Sequence, residues 1–191
     1  MQALMIKRAA RILWQGGVIA YPTEAVWGLG CDPENLDACM ALLQIKKRPV
    51  EKGMILIAAD VGQIAGLLEP LTQAQQQTLA KTWGNQDKTG AVTFLVPDIN
   101  NYVPAWVKGE HQAVAVRVST HSLVKALCTQ FGGPLVSTSA NIAGRPPART
   151  RLAVEKNLGR QLDLVVPGEL GGQANPSRII DLCSGQILRA S

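Results

Sequence analysis

GAVTFLVP at residues 90–97 and QAVAVRVS at residues 112–119 decide the fold. Each is a short, nearly unbroken apolar run, the pattern of a strand buried on both faces of a sheet. Such strands need helices above and below them. These two runs follow one another with no helical pattern between, so the sheet is expected to be mixed, partly parallel and partly antiparallel.

Working outward, the remaining elements alternate. VIAYP (18–22), GMILIAAD (53–60), PLVSTSA (134–140), LDLVVPG (162–168), SRIIDLCSG (177–185) and QILRAS (186–191) read as strands. Leu4, Ile6, Ala9, Ile12 and Leu13 recur at helical spacing until Gly16-Gly17. Residues 35–46 read as a helix with Leu36, Met40 and Leu43 on one face. Residues 60–68 and 72–82 read as two more, with Thr72 an N-cap for the second. Helices are also expected at 121–131, stopped by Gly132-Gly133, and from a Thr150 cap to about Asn157. The prediction is a single α/β domain over residues 1–191.

The chain has 191 residues, 47% of them hydrophobic and 17% charged, enough apolar material for a sizeable core. Aromatics are 4%, too few for a base-stacking platform. The net charge of +5 favours anionic partners such as nucleotides or RNA, though it is also ordinary for a soluble protein. Cys31, Cys39, Cys128 and Cys183 form no CxxC pair, and His111 and His121 have no metal-site spacing to them. A zinc site and a disulfide framework are therefore not expected, and a reducing cytoplasm fits. Residues 1–17 have charges inside their apolar pattern and read as an amphipathic helix, not a signal peptide. No apolar run approaches the roughly 20 residues that span a bilayer.

Five stretches carry polar groups at element ends, where ligands of α/β sheets bind. YPTEAVWGLGCD (21–32) leaves a strand at Pro22, presents Thr23 and Glu24, and enters a turn with Gly28 and Gly30. KKRPVEK (46–52) holds Lys46, Lys47, Arg48 and Lys52, which either grip a polyphosphate or complement a helix C-terminus. Arg117 interrupts an apolar strand, either aimed into a cleft to hold a carboxylate or phosphate, or facing out. In PLVSTSAN (134–141), Ser137 and Ser139 fall on one face, joined by Asn141 if the strand continues; a polar turn and cap is the plainer alternative. Ser177 in NPSRIIDL lies before another strand. GxxxxGK[ST], GxSxG and HExxH are all absent. What is left is a site that positions reactants and stabilises charge, without an activated nucleophile.

Taken in order, PTEAVWGLGCDP, KKRPVEKGMIL, VAVRV, PLVSTSAN with PPAR, and VVPGELGG with NPS resemble the YrdC/Sua5 family, above all its short bacterial members, nearly end to end. The resemblance implies a twisted mixed sheet of the YrdC-like (DHBP synthase-like) type with a basic concave face. It implies that L-threonine, bicarbonate and ATP are converted to L-threonylcarbamoyl-AMP and pyrophosphate. The product would supply the threonylcarbamoyl group at adenosine 37 of tRNAs reading ANN codons, through a downstream transferase complex.

By the same resemblance Lys46 and Arg48 are catalytic, with Lys46 supporting the phosphates. Arg48, Lys52, Ser139 and Asn141 bind ATP. Thr23, Arg117, Ser137 and Ser177 bind threonine. Mg²⁺ is expected through ATP phosphates, with no metal site on the protein. Binding of tRNA or double-stranded RNA by the basic face is the alternative function. The chain departs from the family at Ala25, where many relatives have Thr. It departs again at Thr89-Gly90-Ala91-Val92-Thr93, where many have P-G-P-x-T, and at Ile57, near a His of the longer members. The longer members' extra C-terminal domain is not expected.

Overall fold

The computed structural model describes residues 2–86 and 90–190. Its framework is one nine-stranded sheet. The strands are β1 Ile19–Pro22, β2 Trp27–Gly30, β3 Ile55–Ala58, β4 Val92–Pro97, β5 Ala113–Val118, β6 Leu135–Ser139, β7 Leu164–Val165, β8 Arg178–Asp181 and β9 Ile187–Arg189. They lie in the order β7-β1-β2-β6-β3-β5-β4-β8-β9. β1/β7, β3/β5 and β4/β8 are parallel; the other neighbouring pairs are antiparallel.

The sheet is mixed, as the opening stretches predict, and β4 and β5 are antiparallel neighbours in it, Phe94 opposite Val116 and Leu95 opposite Ala115. A one-turn helix, Ala105–Lys108, does lie between them. Four residues make one turn, too few for an apolar period to register in the sequence. WGLG, read as a turn, is the strand β2. Glycine is unusual inside a strand and often marks a close approach. A Cβ on Gly30 would lie 2.7 Å from the Val136 carbonyl oxygen and 2.8 Å from the Tyr21 ring.

The principal helices are α1 Gln2–Trp14, α2 Leu36–Lys46, α3 Ala65–Leu68, α4 Gln73–Trp83, α5 Ala105–Lys108, α6 Ser122–Phe131 and α7 Arg151–Leu158. Thr72 caps α4 in a reciprocal capping box with Gln75, and Thr150 caps α7 through Ala153 N–H. In α2 the buried face is Ala38, Cys39, Leu42, Leu43 and Ile45, while Leu36 is exposed. α1 likewise buries Ile6, Ala9, Ala10 and Leu13 and leaves Leu4 in solvent. In both helices the tertiary packing rotates the buried stripe by a residue or two from the most apolar one.

The two sheet faces are unlike. Leu29, Val136, Leu56, Val116 and Phe94 point to one face and join α2, α4 and α7 in the larger core. The other face carries Ile19, Tyr21, Ile57 and Leu135, which pack with α1 and α6. Those two helices cover only part of it. Along the rest of the same face register aligns Ser139, Ser137, Ile55, Ala115 and Leu95. The uncovered part is the floor of a cavity.

Candidate active site

That cavity has a volume of about 690 Å³ and is walled by β6, β3, β5, β4 and the segments after α2 and before β8. Such a volume suits a nucleotide-sized ligand. Seven of the nine residues singled out in the sequence line it: Thr23, Arg48, Lys52, Arg117, Ser137, Ser139 and Ser177. Lys46 and Asn141 stand behind the wall.

The KKR cluster is split three ways. The backbone turns left-handed at Lys47 (φ 50°), the C-cap of α2, and three consecutive cations leave in different directions. Lys46 turns inward and is only 3% exposed. Its ammonium donates to the Ser139 carbonyl, to the Asn141 carbonyl at 2.9 Å and to Asn141 Oδ1 at 3.2 Å. Lys47 goes to solvent. Arg48 reaches the cavity, its Nη2 donating to the carbonyls of Lys52 (3.0 Å) and Gly53 (2.9 Å). Burial, then the charge of Arg48, push the Lys46 ammonium down to about 8. Burial likewise lowers Arg48. Lys46 thus braces the end of β6.

Asn141 belongs to the same brace. β6 ends at Ser139, so Asn141 is not a third residue on the strand face. Ser139 Oγ donates to Asn141 Oδ1, and Asn141 Nδ2 donates to the carbonyls of Ile142 (3.1 Å) and Arg145. Ser137 and Ser139 do share a face; Thr138, opposite Leu29, points to the other. The alternation in STSAN is realised as far as the strand extends.

At the other end, Arg117 is 9% exposed on β5. Its Nη1 pairs with Glu24 Oε2 at 3.2 Å, and its Nε has no partner. Ser119 Oγ donates to Glu24 Oε1 at 2.6 Å. Burial opposes the Glu24 charge, but Arg117, Ser119 and Glu24's own backbone N–H outweigh it, and the carboxyl is held below its ordinary 4.5. Thr23 spends its hydroxyl hydrogen on the Val26 carbonyl at 2.7 Å. The Ser177 and Thr93 hydroxyls are hydrogen-bonded at 2.7 Å.

Sequence reading missed three wall residues. Arg189 donates to the Ser177 carbonyl through Nε (3.1 Å) and Nη2 (2.6 Å). Lys108 donates to Asp98 at 2.9 Å and Asn101 at 2.9 Å. His111 is exposed at the rim. Lys108 and His111 fall in one short polar stretch and Arg189 in a distant one, and only the sheet order brings them to one wall. Of the departures, Ala25 lines the cavity with a methyl group. Ile57 is fully buried under α6 with Leu135. Thr89 lies outside the described residues.

The wall thus combines cations at two separate points with serine and threonine hydroxyls. It carries no carboxylate among the described residues, and no group of three or more potential metal ligands occurs among them. The four cysteines are free, and no helix among the described residues is long and apolar enough to cross a membrane. The arrangement can bind a polyanion at Arg48 and Lys52 and a carboxylate at Arg117.

Comparisons with known proteins agree with this architecture. The family model for the Sua5, YciO and YrdC proteins, described as "Telomere recombination", matches residues 11–191. The threonylcarbamoyl-AMP synthase of Marinobacter nauticus is 52% identical over 97% of this chain and 95% of its own. That of Pseudomonas aeruginosa is 55% identical over 95% and 94%. Pyrococcus abyssi Sua5, solved in complex with L-threonine, superposes with a TM-score of 0.88 at 26% identity over 99% of this chain. The chain spans 54% of that longer protein. Escherichia coli YciO superposes with a TM-score of 0.80 at 26% identity, over 98% of this chain and 89% of YciO. With its motifs, its sheet order and nearly its whole length matched, the chain belongs to the Sua5/YrdC family.

Proposed function

We propose that the chain is a threonylcarbamoyl-AMP synthase, a nucleotidyltransferase acting on L-threonine, bicarbonate and ATP. One observation carries this reading. A single cavity holds a cationic end at Arg48 and Lys52 and, across β6 and β5, a buried arginine with serine hydroxyls beside it. The names of relatives at 52% and 55% identity over nearly the full length support it.

Threonine amine and bicarbonate combine to a carbamate with loss of water. A carbamate oxygen then attacks the α-phosphorus of ATP, the P–O bond to the β-phosphate breaks, and pyrophosphate leaves. Such a displacement needs in-line placement and neutralised phosphate charge more than a side-chain nucleophile. Arg48 and Lys52 meet the phosphates. Arg117 takes the threonine carboxylate, with Ser137, Ser177 and Thr23 around the amino acid. Ser139 meets the nucleotide at the seam between the two, held from behind by Lys46 and Asn141. Mg²⁺ would come with the substrate, bound to the ATP phosphates. The product then serves a transferase acting on tRNA.

Pyrophosphate release tests the reading. It should require threonine, bicarbonate and ATP together; release from ATP without either of the others overturns it.

A further inference from the structure

Glu24 is a buried carboxylate behind the Arg117 end of the site, and the chemistry above gives it no task. It is 3% exposed and does not line the ligand cavity. It stands on the far side of the wall, where it borders a second, polar cavity of about 870 Å³ with His121 and Gln173. Arg117 borders the first cavity, so the pair forms the partition between the two.

Glu24 is held at one carboxylate oxygen and along its backbone. Oε1 accepts from Ser119 Oγ at 2.6 Å, while Oε2 lies 3.2 Å from Arg117 Nη1 as an ion pair without hydrogen-bond geometry. Its carbonyl accepts from Gln173 N–H at 2.9 Å, and the neighbouring Thr23 carbonyl accepts from Gly171 N–H at 3.0 Å. A Cβ on Gly171 would stand 3.0 Å from Glu24 Cα and 3.2 Å from His121 Cδ2, so the Gly-rich loop before β8 lies directly on the Glu24 backbone. Arg117 and Ser119 are two apart at the end of β5, and both bracket the same carboxylate. Among the described residues Glu24 is the ion-pair partner of the Arg117 guanidinium, whose Nε stays unpartnered.

We propose that Glu24 is a positioning residue for the amino-acid subsite: tied to Ser119 and the 171–173 loop, it holds one edge of the Arg117 guanidinium so that the other edge faces the cavity for the substrate carboxylate. This rests on the function proposed above. A guanidinium with a single rigid partner keeps a fixed orientation and offers its remaining N–H groups pre-aligned. Deprived of that partner, it is drawn into the water of the cavity, and binding must reorder it. Two effects oppose each other in Glu24→Gln. Lost orientation weakens carboxylate binding, whereas removal of a nearby negative charge strengthens it. The proposal requires that orientation wins.

The test measures L-threonine and ATP binding by calorimetry, and both KM values, for the wild type, E24Q and S119A. E24Q is expected to weaken L-threonine at least tenfold and leave ATP within twofold. S119A, which removes only the hydroxyl that holds Oε1, is expected to weaken L-threonine about threefold, and it decides the question if E24Q does not fold. L-Threoninamide, which lacks the carboxylate, should bind E24Q and the wild type equally. Threonine binding that is unchanged or tighter in E24Q, or in a folded S119A where E24Q fails to fold, overturns the proposal. So does an equal loss for threonine and threoninamide. If the wild type itself does not bind threonine, the proposed function fails; if R117A loses threonine while E24Q keeps it, only the positioning role of Glu24 fails.

Discussion

The cations of residues 46–48 are neighbours in sequence and strangers in space. One left-handed residue sends Lys46 into the protein, Lys47 to solvent and Arg48 to the cavity. Charge reversal at Lys47 should therefore leave ATP KM within about twofold, whereas Arg48→Ala should raise it tenfold or more, as for lost charge-assisted phosphate contacts of about 1.5–3 kcal/mol. Steady-state kinetics with ATP varied checks the contrast. Lys46 gives a second prediction, of opposite sign in two measurements. Its ammonium feeds three carbonyl-type acceptors, and the neutral amine has only two hydrogens. Activity should fall as pH rises through about 8, the value to which burial and Arg48 push this lysine. Stability should move the other way. Between about 8 and the ordinary 10.5, the unfolded chain keeps the proton that the folded protein has lost. The unfolded state then binds more protons, and unfolding free energy rises with pH. kcat profiles and urea midpoints from pH 7 to 10.5 should diverge in the wild type, and Lys46→Met should remove both trends.

Among the elements, β2 is the one whose identity the sequence hides. Two glycines in four residues carry little strand propensity. The strand exists because β1 and β6 flank it and because Tyr21 needs the room that Gly30 leaves. Gly30→Ala places a methyl group 2.7 Å from a backbone oxygen that cannot swing aside. It should destabilise the protein by about 1–3 kcal/mol, read as a lower urea midpoint at unchanged slope. Elsewhere local signals were sufficient: the Thr72 and Thr150 caps, and the strands of unbroken apolar character, appear where their residues place them. The limits of β7 and β8 were not legible in this way. LDLVVPG and SRIIDLCSG are apolar beyond the two and four residues that pair, and strand length there is set by where a neighbour stops offering hydrogen bonds.

For the whole molecule, the Glu24–Arg117 pair ties the loop after β1 to the end of β5, with the Ser119 bond to Glu24 closing 95 residues of chain. The Glu24 carboxyl lies below its ordinary 4.5, so it contributes stability that is complete above that value and lost as pH falls through its lower folded value. Acid unfolding followed by urea midpoint should steepen below pH 4.5, and Glu24→Gln should flatten that limb while lowering stability at neutral pH. Breaking one side of a buried pair typically costs about 3–5 kcal/mol. What the sequence determined by itself is local: which runs are strands or helices, where helices begin, and which polar motifs sit at strand ends. Those follow from side-chain period, caps and turn residues within a dozen positions. Only the tertiary structure decided which face of the sheet stays uncovered, that Lys46 and Asn141 brace the wall while Arg48 and Ser139 line it, that Glu24 pairs with Arg117, and that Lys108 and Arg189 stand on the cavity wall at all. The physical reason is that strand order is settled by long-range pairing and by how far two helices reach across one face, and no short stretch of sequence carries either.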